Sequence, residues 1–117
     1  MRGQVEIVER FDEGVLELCF SNPPFNVLSV GAGLVSVLLE AVSGAVADSQ
    51  VELIILAGGG GNFSAGADIT DFDGDPVQLM AVRTLFDRIE NSPKPIVAAI
   101  EGLCLGGGFE LALAAHY

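Results

Sequence analysis

Residues 100–115 read IEGLCLGGGFELALAA, and the run Gly106, Gly107, Gly108, Phe109, Glu110 within them decides how the chain is built. Three adjacent glycines followed at once by Leu111, Ala112, Leu113, Ala114 and Ala115 predict a tight backbone bend opening a buried helix, with the Glu110 carboxylate in its first turn. Glycines allow a close approach to the backbone. The first amides of a helix have no internal acceptor and lie at the positive end of its dipole, so the bend suits a ligand atom that carries negative charge. Just upstream, residues 96–100 (IVAAI) form a short apolar run that predicts a buried strand leading into the bend.

Strands and helices alternate further upstream, without an internal repeat. Residues 77–90 carry Leu79, Val82, Leu85, Phe86 and Ile89 at helical spacing, with Arg83, Asp87, Arg88 and Glu90 towards the other face. Ser92-Pro93-Lys94-Pro95 ends that helix, while Asp68-Ile69-Thr70 and Asp73-Gly74-Asp75-Pro76 are start signals before it. Residues 51–57 (VELIILA) are almost wholly aliphatic, the pattern of a strand covered on both faces. A helix is expected over residues 30–47, weakened at its start by Gly31 and Gly33. Residues 4–10 and 16–20 alternate around the turn signal Asp12-Glu13-Gly14 and predict a hairpin; Pro23 and Pro24 make PPFNVLS a loop. The order β-β-α-β-α-β-α implies a layered α/β fold with largely parallel connections.

Composition sets limits on function. Half of the 117 residues are hydrophobic and the mean hydropathy is +0.54, enough for a substantial core. The net charge of −11, from 16 acidic and 5 basic residues, argues against nucleic-acid binding, and an anionic ligand must be met by local amides or by the few cations. Cys19 and Cys104 sit in apolar runs and fit no metal-ligand spacing, so they are expected as reduced core residues, and no metal site is expected. The first residues, MRGQVEIVERFDEG, are charged throughout and show no apolar secretory segment, and no run is long enough for a membrane-spanning helix. The closing helix is apolar almost all round and is followed by His116-Tyr117 without a capping glycine or proline, so the 117 residues are expected to be the front of a longer protein.

Two familiar glycine motifs fail. Gly61 and Gly66 have Walker A spacing but are followed by Ala67-Asp68, where a phosphate-binding Lys and a Ser or Thr are needed, and no glycine cluster completes GxGxxG. A serine hydrolase is a serious rival, because Ser64 lies in an NxSxG segment with Asp68 and His116 following in triad order. Against it, Asn62 replaces the glycine of the strained elbow. What remains is a pair of similar loops: residues 63–69 (FSAGADI) and residues 102–111 (GLCLGGGFEL) each follow a strand and precede a helix. Two converging amides are what an oxyanion hole requires. On spacing alone, both loops are equally well read as plain glycine-rich connections.

FSAGADI and GLCLGGGFELA, with PPFNVLS upstream, resemble the enoyl-CoA hydratase/isomerase (crotonase) superfamily over the whole chain. The resemblance implies a crotonase-like (ClpP/crotonase) spiral of β-β-α units, with residues 1–117 as the N-terminal portion of one such domain. It implies that the backbone N–H groups of Ala67 and Gly107 hold the thioester oxygen of an acyl-CoA, and that Glu110 is the first of two catalytic glutamates, activating water. It further implies that Ala65, Ala67, Asp68 and Ile69 line the coenzyme A path and that PPFNVLS borders the pantetheine. By residue type alone, Glu110 is a first-turn acid favoured by the helix dipole and Asp68 a helix cap. The family's second glutamate and C-terminal helical region lie past Tyr117, so the isolated polypeptide is expected to be inactive. The ending looks most like the hydratase part of multifunctional β-oxidation proteins, in which a dehydrogenase follows; NAD would belong there, and no cofactor to this segment. Homo-oligomerisation, and a cytoplasmic location in bacteria or a peroxisomal or mitochondrial one in eukaryotes, are the matching expectations. Isomerase or other CoA-thioester chemistry, and a non-catalytic CoA-binding or interaction role, are the alternatives.

Overall fold

The computed structural model describes residues 5–66 and 76–117. Along the chain run β1 (Glu6–Asp12), β2 (Val15–Ser21), α1 (Leu34–Ala47), β3 (Leu53–Gly58), α2 (Pro76–Glu90), β4 (Ile96–Ala99) and α3 (Gly107–Ala114), in the order expected from the sequence. The expected start signals at Asp68 and Asp73 lie outside the described residues.

Asp12 pairs with Val15, so the hairpin loop is Glu13-Gly14, both with positive φ (49° and 87°). That pair of angles marks a type I′ turn, whose twist matches that of the strands it joins. The sheet order is β1-β2-β3-β4; the first pair is antiparallel and the other two are parallel, with α1 and α2 as crossovers. Register stacks the apolar side chains. Leu16 lies beside Ile54 and Ile54 beside Ile96, while Leu18 lies beside Leu56. On this face pack Leu34, Val35, Leu38 and Val42 of α1, Leu85 and Ile89 of α2, and Leu111 of α3, all buried. Each such side chain is worth about 1.5–3 kcal/mol on burial. Phe20 and Phe63 meet edge to face, their ring centroids 5.3 Å apart. Along the far side of β4, the Ala98 amide donates to the Tyr117 carbonyl (2.9 Å) and the His116 amide to that of Ile96 (2.9 Å).

Several boundaries and faces differ from expectation. α1 begins at Leu34 rather than at residue 30, because Gly33, at φ 96°, turns the chain into the helix. β3 is not covered on both faces: Ile54 and Leu56 are buried, whereas Leu53, Ile55 and Ala57 are only half-buried, since the described helices pack on one side. Cys19 and Cys104 are free and half-buried rather than fully buried, and burial raises both thiol pKa values, with nearby Glu17 adding to the rise at Cys19. Of the expected apolar face of α2, Leu85 and Ile89 reach the core, Val82 and Phe86 are half-buried and Leu79 is exposed. That helix therefore faces two ways, towards the core and towards a groove. α3, expected to need partners on every side, buries Gly108 and Leu111 and exposes Phe109 and Leu113.

Candidate active site

The loops that follow β3 and β4 are stitched together by main-chain hydrogen bonds. The Ser64 amide donates to the Leu103 carbonyl (3.0 Å) and the Leu105 amide to the Ser64 carbonyl (3.0 Å), a parallel bridge between Ser64 and Cys104. The Phe63 amide reaches the carbonyls of Glu101 (2.8 Å) and Leu103 (3.0 Å), and the Leu103 amide donates to Asn62 Oδ1 (2.9 Å). The proline loop binds from the other side: Ala65 N–H donates to Phe25 (2.9 Å) and Leu28 N–H to Gly66 (2.8 Å).

Asn26 holds the three segments in register. It is 1% exposed, has φ 55°, and donates through Nδ2 to the carbonyls of Gly59 (2.9 Å) and Asn62 (2.8 Å), while its own carbonyl accepts from Ser64 Oγ (2.7 Å). Sequence reasoning passed over it. The available signal was an asparagine in a proline-led loop, a residue type that tolerates the left-handed region and hydrogen-bonds backbone.

These bonds tell against the serine-hydrolase rival. Ser64 is fully buried; its hydroxyl donates to Asn26 and accepts from Gly66 N–H (3.1 Å), so it is neither accessible nor paired with a base. His116 is engaged elsewhere. Its Nδ1 accepts from the Ile96 amide (3.0 Å), which leaves Nε2 to donate to the Glu90 carbonyl (3.2 Å) and joins the end of α2 to the start of β4. Asp68 lies outside the described residues.

Steric contact sets where the two loops meet. A Cβ on Gly108 would lie 2.4 Å from the Ser64 carbonyl oxygen, and one on Gly66, at φ 109°, would lie 2.8 Å from that of Leu105 and 3.3 Å from Gly107 N. Gly66 thus lies against the Gly107 amide, and Ala67 is the next residue in the chain. The Gly107 N–H has no acceptor among the described residues. Gly107 opens α3 and Glu110 lies three residues on, so the two share a face of the helix. Both line a groove of about 470 Å³ together with Leu28 and, from α2, Leu79, Val82, Arg83, Phe86 and Asp87. A larger cavity of about 520 Å³ between the hairpin and α1 is lined by residues such as Glu9, Glu40 and Asp48 and has no free helix-start amide. The groove is therefore the better candidate.

Of the residues singled out from sequence, Gly107 and Glu110 come together; Ala65 sits half-buried in the stitched loop; Ala67, Asp68 and Ile69 lie outside the described residues. The α2 side of the groove was missed as a site: Arg83 and Asp87, expected towards the face opposite Leu79, Val82 and Phe86, line the groove together with them, because at about 100° per residue they fall at the edge of that stripe. Among the described residues, no group of three or more His, Cys, Asp or Glu converges to hold a metal.

The paired loops, a Gly107 amide without an acceptor among the described residues, and the Glu110 carboxylate all lie within a stretch that matches a known family. The model of the enoyl-CoA hydratase/isomerase family matches residues 10–117. The chain belongs to that family. It is 41% identical over 112 residues to the peroxisomal bifunctional enzyme of Danio rerio, covering 96% of this chain and 15% of that protein. It is 44% identical over 115 residues to a probable enoyl-CoA hydratase of Bacillus subtilis (strain 168), covering 90% of this chain and 42% of that one. The crystal structure of an enoyl-CoA hydratase from Polaromonas sp. JS666 superposes with a TM-score of 0.82 at 28% identity, over 95% of this chain and 46% of that chain. The fold is thus the crotonase fold, and the chain spans less than half the length of these relatives. One relative is named as peroxisomal and another is bacterial, within the range of compartments expected, and no described helix is long and apolar enough to cross a membrane.

Proposed function

We propose that this chain supplies the oxyanion hole and one acid/base carboxylate of an enoyl-CoA hydratase that adds water syn across a trans-2-enoyl-CoA in fatty-acid β-oxidation. The observation that carries the reading is the juxtaposition of the Gly107 amide, without an acceptor among the described residues, the Gly66 turn against it and the Glu110 carboxylate on one groove. In the reaction, Glu110 takes a proton from water as its oxygen bonds to the β-carbon. The π electrons move onto the thioester oxygen, where the amides of Gly107 and Ala67 hold the enolate more strongly than the neutral carbonyl. The α-carbon then takes a proton from a second carboxylate, a role the family pattern gives to a glutamate past Tyr117.

Residues 1–117 are accordingly read as the N-terminal portion of one crotonase-like domain, with Ala65, Ala67, Asp68, Ile69 and Gly107 along the coenzyme A path. Coenzyme A enters as part of the substrate; NAD would act only in a dehydrogenase fused downstream, as in multifunctional relatives. The experiment is hydration of crotonyl-CoA by the protein that carries this sequence, followed by loss of the conjugated-thioester absorbance. Glu110→Gln should lower kcat by about 10²–10⁴-fold with little change in KM. A Glu110→Gln protein as fast as the wild type would remove Glu110 from the chemistry.

A further inference from the structure

Resting on the reading of the groove as an acyl-CoA site, we propose that Arg83 is a specificity-determining residue that favours acyl groups ending in a carboxylate over those ending in a methyl. Arg83 is the only basic residue among the described residues that line the groove, and it sits between apolar Leu79 and Val82 on one side and Phe86 on the other. Two cations further along the chain do not line the groove and are engaged: Arg88 Nη1 donates to Ser43 Oγ, and Lys94 Nζ donates to the carbonyls of Ala45 (3.0 Å) and Asp48. No ion pair or hydrogen bond holds the Arg83 guanidinium among the described residues, although Asp87 lies one turn further along the same helix.

The charge balance makes that position selective. Asp87 and Glu110 share the groove, in a chain of net charge −11, so apart from the Gly107 amide, Arg83 is the one group among the described lining residues that favours an anion. A guanidinium offers parallel N–H donors that match a carboxylate in bidentate fashion. Leu28, Leu79, Val82 and Phe86 suit a hydrocarbon chain running from the reacting carbons at Glu110 towards that end.

An anionic partner for Arg83 has two sources, a distal carboxylate or a phosphate of coenzyme A, and three probes separate them. Hexanoyl-CoA, 5-carboxypentanoyl-CoA and free coenzyme A all lack the double bond, so binding is read without turnover. In the protein carrying this sequence, Arg83→Met should weaken 5-carboxypentanoyl-CoA by about tenfold and hexanoyl-CoA by less than about twofold, with Arg83→Lys between. Free coenzyme A should bind both variants as it binds the wild type. Equal weakening of all three probes would assign Arg83 to a phosphate and overturn the proposal, as would unchanged binding of the carboxylated probe. Failure of hexanoyl-CoA to bind the wild-type protein would instead defeat the acyl-CoA reading itself, and the proposal with it.

Discussion

On one side of the groove, residues 62–66 and 101–108 are fixed by main-chain hydrogen bonds, by buried Asn26 and Ser64, and by glycine contacts too tight for a side chain. On the other side, α2 presents Leu79, Val82, Arg83 and Phe86 on a regular helix, half-buried or exposed. The first wall holds a donor through main-chain bonds and tight glycine contacts; the second adds exposed Leu79 and Arg83, which can be exchanged with little effect on the fold, to Val82 and Phe86, which pack against the core. The reaction and the selectivity proposed for the groove thus fall to different kinds of structure.

The contrast breaks most readily at Gly108. Gly108→Val puts a branched side chain onto the Ser64 carbonyl, and we expect a loss of about 3 kcal/mol or more, seen as a fall in the denaturant midpoint or as failure to fold. Asn26→Ala strands the carbonyls of Gly59 and Asn62 and should cost about 2–4 kcal/mol by the same measurement. Ser64→Ala leaves the Gly66 amide without its acceptor, for a loss of about 1–3 kcal/mol. Across the groove, Arg83→Met should change stability by less than about 0.5 kcal/mol, since the side chain is exposed and has no partner among the described residues. A large loss there would erase the distinction between the walls. The smallest expected effect concerns the thiols: with both pKa values raised, Cys19 and Cys104 remain protonated at neutral pH. Alkylation by iodoacetamide in the folded state should be slower than in urea and should accelerate only as pH rises into the alkaline range.

The α/β order was legible because strand and helix periodicities differ and because Gly14, the proline pairs and the glycine runs punctuate them. The helix start at Gly107, with Glu110 in its first turn, was legible because a glycine run before apolar residues at helical spacing marks a bend into a helix; the roles proposed for the two came from the family resemblance and not from spacing. The start of α1 was misplaced because Gly33 outweighs the apolar residues before it, and the depth of β3 because an aliphatic run does not say how many layers cover it. Asn26 and Arg83 escaped notice for a shared reason. Each acts on residues far along the chain, Asn26 on Gly59 and Asn62, Arg83 on a groove completed by Gly107 and Glu110, and no local pattern records such a meeting.

The Gly107 donor is a main-chain amide, and a main-chain amide has no codon of its own. Substitution at position 107 changes what is attached to the group without removing it. Mutation reaches the donor chiefly through the residues that aim it, Gly66, Gly108, Ser64 and Asn26. The heritable information for that proposed donor is therefore spread over three loops, while that for the acyl-tail preference we propose sits on one face of a single helix. Over evolutionary time the second can drift from one substrate to another while the first is held still.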